Sequence, residues 1–301
     1  MKRAFFAATI LAMLVFPAFA GNGQYCPESD FAFRIIGNGK AVEIIRYVGG
    51  NTDVRIPARI QGLPVTRIGL RVFHRSNLTS VTIPDSVTHI YNEAFVDNRL
   101  TSVSIPASVT HIGHEAFSRN RLTTVSIPNS VTHIGYAAFD RNQLTSVIIP
   151  DSVTHIGEWA FASNQLTNIS ISSNITHAGS FAFAVNQLTN VDIPNTVTHI
   201  RAGTFWLNQL TSVNIPDSVT YIGNGAFFEN HLTSVSIPDS VTHIGNAAFI
   251  RNRLTSVSIP DSVTHIGDRA FAGNQLTSVS VPSHTEVHPD AFDADVTITR
   301  R

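Results

Sequence analysis

Apolar residues recur at fixed intervals along most of this chain. Leucine occupies positions 78, 100, 122, 144, 166, 188, 210, 232, 254 and 276, each 22 residues after the last, and phenylalanine keeps the same step from Phe95 to Phe271. The unit that begins at Leu254 reads LTSVSIPDSVTHIGDRAFAGNQ, with the frame L-x-x-V-x-I-P-x-x-V-T-H-I-G-x-x-A-F-x-x-N-x. Thr255 to Ile259 alternates hydroxyl and apolar residues with period two, the mark of a strand buried on one face. Pro260 has no N–H for a ladder and ends that strand. Val263 to Ile266 reads as a second short extended piece. Gly267 is then expected to take a left-handed turn, and Asp268 to Ala272 has room for a single helical turn pinned inward by Phe271.

One unit directs Leu254, Val257, Ile259, Val263, Ile266 and Phe271 to the same side and cannot bury them alone, so units must stack. The predicted fold is a repeat solenoid of mainly parallel β rungs with short helical turns and a 22-residue period. Ten regular rungs at strand spacing span roughly 50 Å. Asparagine at the frame's twenty-first position, Asn98 to Asn274, is expected to bond backbone groups left unpaired at the buried bend. An irregular unit precedes the array through Ile56-Pro57, Val65 to Gly69 and Phe73, and a shortened one ends at Phe292.

The flanks follow other patterns. Lys2-Arg3, an apolar run from Ala4 to Phe16 and Ala18-Phe19-Ala20 form a secretory signal, with cleavage expected after Ala20. Residues 21–55 carry two apolar runs about Gly37-Asn38-Gly39, a hairpin signal, and are assigned as an N-terminal β-hairpin cap. The solenoid is placed at 56–292 and a C-terminal cap at 293–301. No segment after the signal is long enough for a transmembrane helix.

Charged residues make up 14% of the chain, against roughly 25% in ordinary soluble domains. Removing Lys2 and Arg3 shifts the formal charge from −1 to −3, which argues against a nucleic-acid partner. Cys26, the lone cysteine, excludes a disulfide framework and a multi-cysteine zinc site.

The frame resembles the leucine-rich repeat of the bacterial BspA-like class, L-x-x-I-x-I-P-x-x-V-T-x-I-G-x-x-A-F, over roughly 31–292. Tyr47 to Gly50 and Ile56-Pro57 resemble that family's lead-in. The resemblance implies an exported protein, at the cell surface or secreted, that binds host matrix proteins, host cells or other bacterial surface proteins. A periplasmic scaffold is the alternative.

Histidine recurs at 89, 111, 133, 155, 177, 199, 243 and 265, with Tyr221 replacing it once. Rings about 5 Å apart on adjacent rungs read first as a structural stack. They also make His89, His111, His133 and His155 candidates for a metal- or pH-responsive module. His111-Ile112-Gly113-His114 spells a tRNA-synthetase signature but arises from the frame itself. With no hydrolase, zincin or P-loop motif, the chain is expected not to be an enzyme and to use no cofactor.

Rung-to-rung differences carry the remaining information. The variable positions flank the Ala-Phe pair. Early rungs place charge there (Asp97, Glu115, Arg119, Asp140, Arg141), and later rungs place large apolar residues. Trp159, Phe181, Trp206, Leu207, Phe228 and Ile250 are therefore the candidate partner-binding residues, since aromatic side chains on a surface favour binding. Phe181 has a second reading, because its rung carries Ala178 where others carry Ile and the ring is large enough to fill that space.

Overall fold

The computed structural model describes residues 25–301. The expected signal at 1–20 lies outside the described residues. The chain winds into a β-solenoid whose most continuous ladder is the Thr-His-Ile segment. The antiparallel hairpin Phe31–Ile36 and Ala41–Tyr47 starts this sheet. Its second strand pairs in parallel with Leu63–Ile68, and His89–Ile90, His111–Ile112, His133–Ile134, His155–Ile156 and His177–Ala178 follow in order. A second sheet begins at His199–Ile200 and runs through Tyr221, His243 and His265 to Glu286–Val287. The Leu-x-x-Val-x-Ile segments pair less continuously. Ser146–Ile148 pairs with Asn168–Ser170 and Ser278–Val281 with Thr297–Arg300, while Ser104 and Ser126 meet in a single bridge.

The core is a column of rings. Eleven phenylalanines, from Phe73 to Phe292, stack nearly parallel with centroids 5.1 to 6.0 Å apart. Asparagine closes the bend beside nine of these rings, Phe95 to Phe271. Asn164 Nδ2 donates to the carbonyls of Phe139 and Phe161, and its Oδ1 accepts the N–H of Leu144. The Leu144 N–H, which would otherwise be buried unpaired, is thereby satisfied, and each of the two phenylalanine carbonyls accepts from two successive asparagines.

The segment after the frame's glycine is not helical; the single 3-10 element among the described residues is Glu28–Asp30. It is built from two successive turns with left-handed residues two positions before the phenylalanine and two after it. On one rung these are Trp159 (φ 59°) and Ser163 (φ 54°). In this alternating backbone the N–H groups of Trp159, Phe161 and Ser163 all donate to the next rung, to the carbonyls of Ser180, Ala182 and Ala184. A regular helix would turn those groups along its own axis and forfeit the inter-rung bonds. At the end of the column, Gly273 N–H donates to both carboxylate oxygens of Asp293 (3.0 and 2.9 Å), which stand in for the missing carbonyl.

Gly267 is not the left-handed residue expected of it; Arg269 (φ 52°) is. Glycine at this position answers to close approach instead. A Cβ on the equivalent Gly157 would lie 2.6 Å from the carbonyl carbon and oxygen of Gly135. Tyr91, in the first regular rung, and His288, in the shortened last one, occupy the same position and still donate to Ile68 and Ile266, both at 2.9 Å. The interior exception is Arg201, and there the sheet breaks. The Thr-to-Thr backbone bond seen from Thr176 to Thr154 and from Thr220 to Thr198 does not form between Thr198 and Thr176. The break coincides with Ala178. A void of about 20 Å³, lined in part by Ala178, Phe183, Val197 and Ile200, remains beside it.

Candidate functional site

The left-handed turns carry the variable side chains outward. Trp159 and Phe181 stack face to face, 4.3 Å apart at 11°. Phe181 meets the edge of Trp206 (5.7 Å, 71°), and Trp206 meets Phe228 (5.9 Å, 74°). The Arg251 guanidinium lies 5.9 Å from the Phe228 centroid and pairs with Glu229. Ile250 continues the line one rung beyond Phe228, and Leu207 (φ 53°) flanks Trp206. The six candidate residues therefore form one strip, and every one is half-buried. The strip shifts from one side of the Ala-Phe pair to the other between Phe181 and Trp206. Gly203 makes the crossing possible, since a Cβ there would collide with the Phe181 ring. Phe181 is thus packed on Trp159 and leaves the void beside Ala178 unfilled, a correction to its core-filling reading.

Bulky residues rarely hold φ above zero, at a cost of about 1 kcal/mol or more each. Trp159, Phe181 and Val185 do so on turns where Gly203, Gly225 and Gly273 avoid that cost. Backbone conformation alone does not favour aromatic residues here.

The histidine rows form stacks. His89, His111, His133, His155 and His177 are spaced 5.0 to 5.8 Å at angles of 3 to 11°. Each Nδ1 lies 2.8 or 2.9 Å from the hydroxyl of the preceding threonine. Thr88 Oγ1 lies within hydrogen-bond reach of both Thr66 O (3.1 Å) and His89 Nδ1 (2.8 Å). Ring centroids 5.0 Å or more apart keep the spacing expected of adjacent rungs, and among the described residues these histidines do not gather with a third ligand. A different group of metal-ligating types does converge: Asp268, His288 and Asp290, with ligand atoms within 4.8 Å of one another. His288 replaces the frame's glycine, and that departure was the available signal; Asp268 and Asp290 stand at variable positions. His288 Nδ1 already accepts the N–H of Asp290 at 3.2 Å.

Upstream of the strip, the charged early rungs adjoin it. Asp140 is largely buried 3.6 Å from Arg141, and burial pushes its carboxyl above the ordinary value while Arg141, Ser163 and Arg119 pull it back. Arg71 and Glu93 form a bidentate pair (2.7 and 2.8 Å) that holds the Glu93 carboxyl below its ordinary value.

The rung geometry and the frame agree with a family profile described as "BspA type Leucine rich repeat region", which matches residues 66–188 and 176–299. The chain belongs to the BspA-type leucine-rich repeat family. Among solved structures, this BspA-type chain is similar to a leucine-rich cell-surface protein from Faecalibacterium prausnitzii. Identity is 26%, with 93% of this chain and 96% of the other covered and a TM-score of 0.49. It is similar in fold to the pneumococcal vaccine antigen PcpA (18% identity, 93% and 88% covered, TM-score 0.58). A leucine-rich repeat protein from Bacteroides ovatus also matches (21%, 90% and 98%, TM-score 0.42). Among curated proteins, none matches the chain. No helix among the described residues is long and apolar enough to cross a membrane.

Proposed function

We propose that this BspA-type protein is exported and binds other proteins through its variable face, as an adhesin for host extracellular matrix or cell surfaces. The observation that carries the reading is the strip from Trp159 to Phe228. Trp159 and Phe181 hold a left-handed backbone that disfavours them, and Trp206 and Phe228 continue the line on the next two rungs. Half-buried aromatic residues beside an arginine are the composition of binding hot spots. The similarity to a cell-surface protein supports export to the same place, as does the basic-apolar start of the chain.

The test is binding of the mature protein to immobilised fibronectin, fibrinogen, laminin and collagen, and to host cells. Saturable binding to one of them, weakened at least tenfold by Trp206→Ala with Phe228→Ala, is expected. Both rings pack on neighbours, so the double variant should also lose about 1–3 kcal/mol of stability and must be assayed well below its melting temperature. A flat response to every ligand sinks the adhesin reading. Protease treatment of intact cells separates it from a periplasmic scaffold, which would survive uncut.

A further inference from the structure

The frame's sixteenth position forms a column of its own: Glu93, Glu115, Ala137, Trp159, Phe181, Gly203. All six have φ between 48° and 60°, so their side chains leave the backbone in a common direction, one above another. Phe181 covers one face of Trp159, and the other face looks toward Ala137, whose side chain is a methyl group. A slot of about 330 Å³ opens there. Ala137 floors it, Trp159 is one wall, and the charged groups of Glu115, Arg119, Asp140 and Arg141 line the rest together with Tyr136, Ser118 and Ser163. Glu115 and Trp159 are two rungs apart, about 10 Å at strand spacing. That distance admits one ring lying flat on the indole with its far side within hydrogen-bonding reach of Glu115.

The lining is balanced, with two carboxylates and two guanidiniums. A cationic ligand would meet the arginines at close range, and an anionic one the carboxylates. A purely aromatic ring would stack well but take water from four charged groups without replacing it, a heavy penalty. A ring with hydroxyls around its edge satisfies all of them, because each hydroxyl both donates to a carboxylate and accepts from a guanidinium. Its C–H face suits the indole. We propose that the slot over Ala137 binds a neutral pyranose unit of a glycan, stacked on Trp159 and held at its edge by Glu115, Arg119, Asp140 and Arg141. This site adjoins the aromatic strip but does not depend on the strip's binding a protein.

Neighbouring rungs supply the variants. Ala137→Phe places in the slot the residue that Phe181 presents at a similar left-handed φ, and so fills it with the protein's own ring. The probes are lactose, cellobiose, maltose and N,N′-diacetylchitobiose, with 3′-sialyllactose as the charged comparison, read by saturation-transfer NMR on the full mature chain. At least one neutral sugar should bind with millimolar affinity and lose at least tenfold in Ala137→Phe and in Trp159→Ala, but not in Trp206→Ala with Phe228→Ala. Should Ala137→Phe fail to fold, Trp159→Ala and Glu115→Gln, both at half-buried positions, carry the same comparison. Absence of transfer to every neutral sugar overturns the proposal, as does unchanged binding in the slot variants or binding of the sialylated sugar alone. A matrix-binding protein with no sugar response would refute the slot and leave the adhesin reading standing. A sugar response without matrix binding would do the reverse.

Discussion

Asn164 Oδ1 accepts the backbone N–H of Leu144, twenty residues earlier, at 3.0 Å. The same carboxamide donates to Phe139 O and Phe161 O, so one short side chain ties two rungs at the point where both chains turn inward. Asn164→Ala leaves the Leu144 N–H buried without a partner, while Phe139 O and Phe161 O each lose one of two donors and keep Asn142 and Asn186. At about 1–3 kcal/mol for one orphaned buried group, the expected loss is about 1–3 kcal/mol. Urea denaturation measures it. Asn164→Asp should do no better at neutral pH, because its carboxylate keeps the Leu144 bond but faces the phenylalanine carbonyls with no proton to give.

Gly157→Ala should cost about 2 kcal/mol or more, since its Cβ would overlap the Gly135 carbonyl and the rungs must part to admit it. Gly37→Ala is the control. Gly37 is left-handed (φ 60°), and a Cβ there would meet nothing within 4 Å, so only the conformational cost of about 1 kcal/mol applies. If the two variants melt at the same temperature, close approach is not what glycine provides in the frame.

The contrast also shows what is legible in the sequence. The 22-residue step, the inward Leu, Val, Ile and Phe, and the role of Asn164 follow from periodicity and from the rule that buried polar groups need partners. Gly157 misleads because a glycine serving left-handed φ and one serving close approach look identical in sequence. The turn after it reads as helical because five residues fit one helical turn. Its actual form depends on bonds to the next rung, which no single unit contains. Trp159 and Trp206 are legible as departures from the frame. That they join into one strip through Phe181 depends on Gly203, whose relevance appears only when the rungs are stacked.

The break between the two sheets predicts where the solenoid opens first. The Phe column and the Asn208 bond to Phe183 O (3.0 Å) cross the break intact, so the phenylalanine side holds while the histidine side is parted. Amide exchange at His199 and Ile200 should be faster than at His155 and Ile156, which are paired on both sides. Ala178→Val adds two buried carbons at the void and should stabilise the protein by up to about 1.5 kcal/mol while slowing exchange at Ile200. Unchanged exchange, with His199 as protected as His155, would show that the break is closed in solution.

The histidine stack makes stability fall with acidification. Burial holds His89 below its ordinary value of 6.5, aided by Arg67 and His111, and burial together with His155 and His111 does the same for His133. A histidine whose folded pKa is depressed binds fewer protons folded than unfolded as the pH drops, so the unfolded state gains. The stabilising difference is fully present above about pH 6.5 and is lost as pH falls through the folded values, before carboxylates begin to titrate. Melting temperature should therefore be flat from about pH 8 to 7 and decline by a few degrees toward about pH 5. Tyr221 shows that an uncharged ring fits the stack, at 5.9 Å from His199 and 6.0 Å from His243. His133→Tyr should accordingly reduce the slope over that window without lowering the plateau. A slope unaltered by this substitution and by His89→Tyr would assign the acid sensitivity to groups outside the stack.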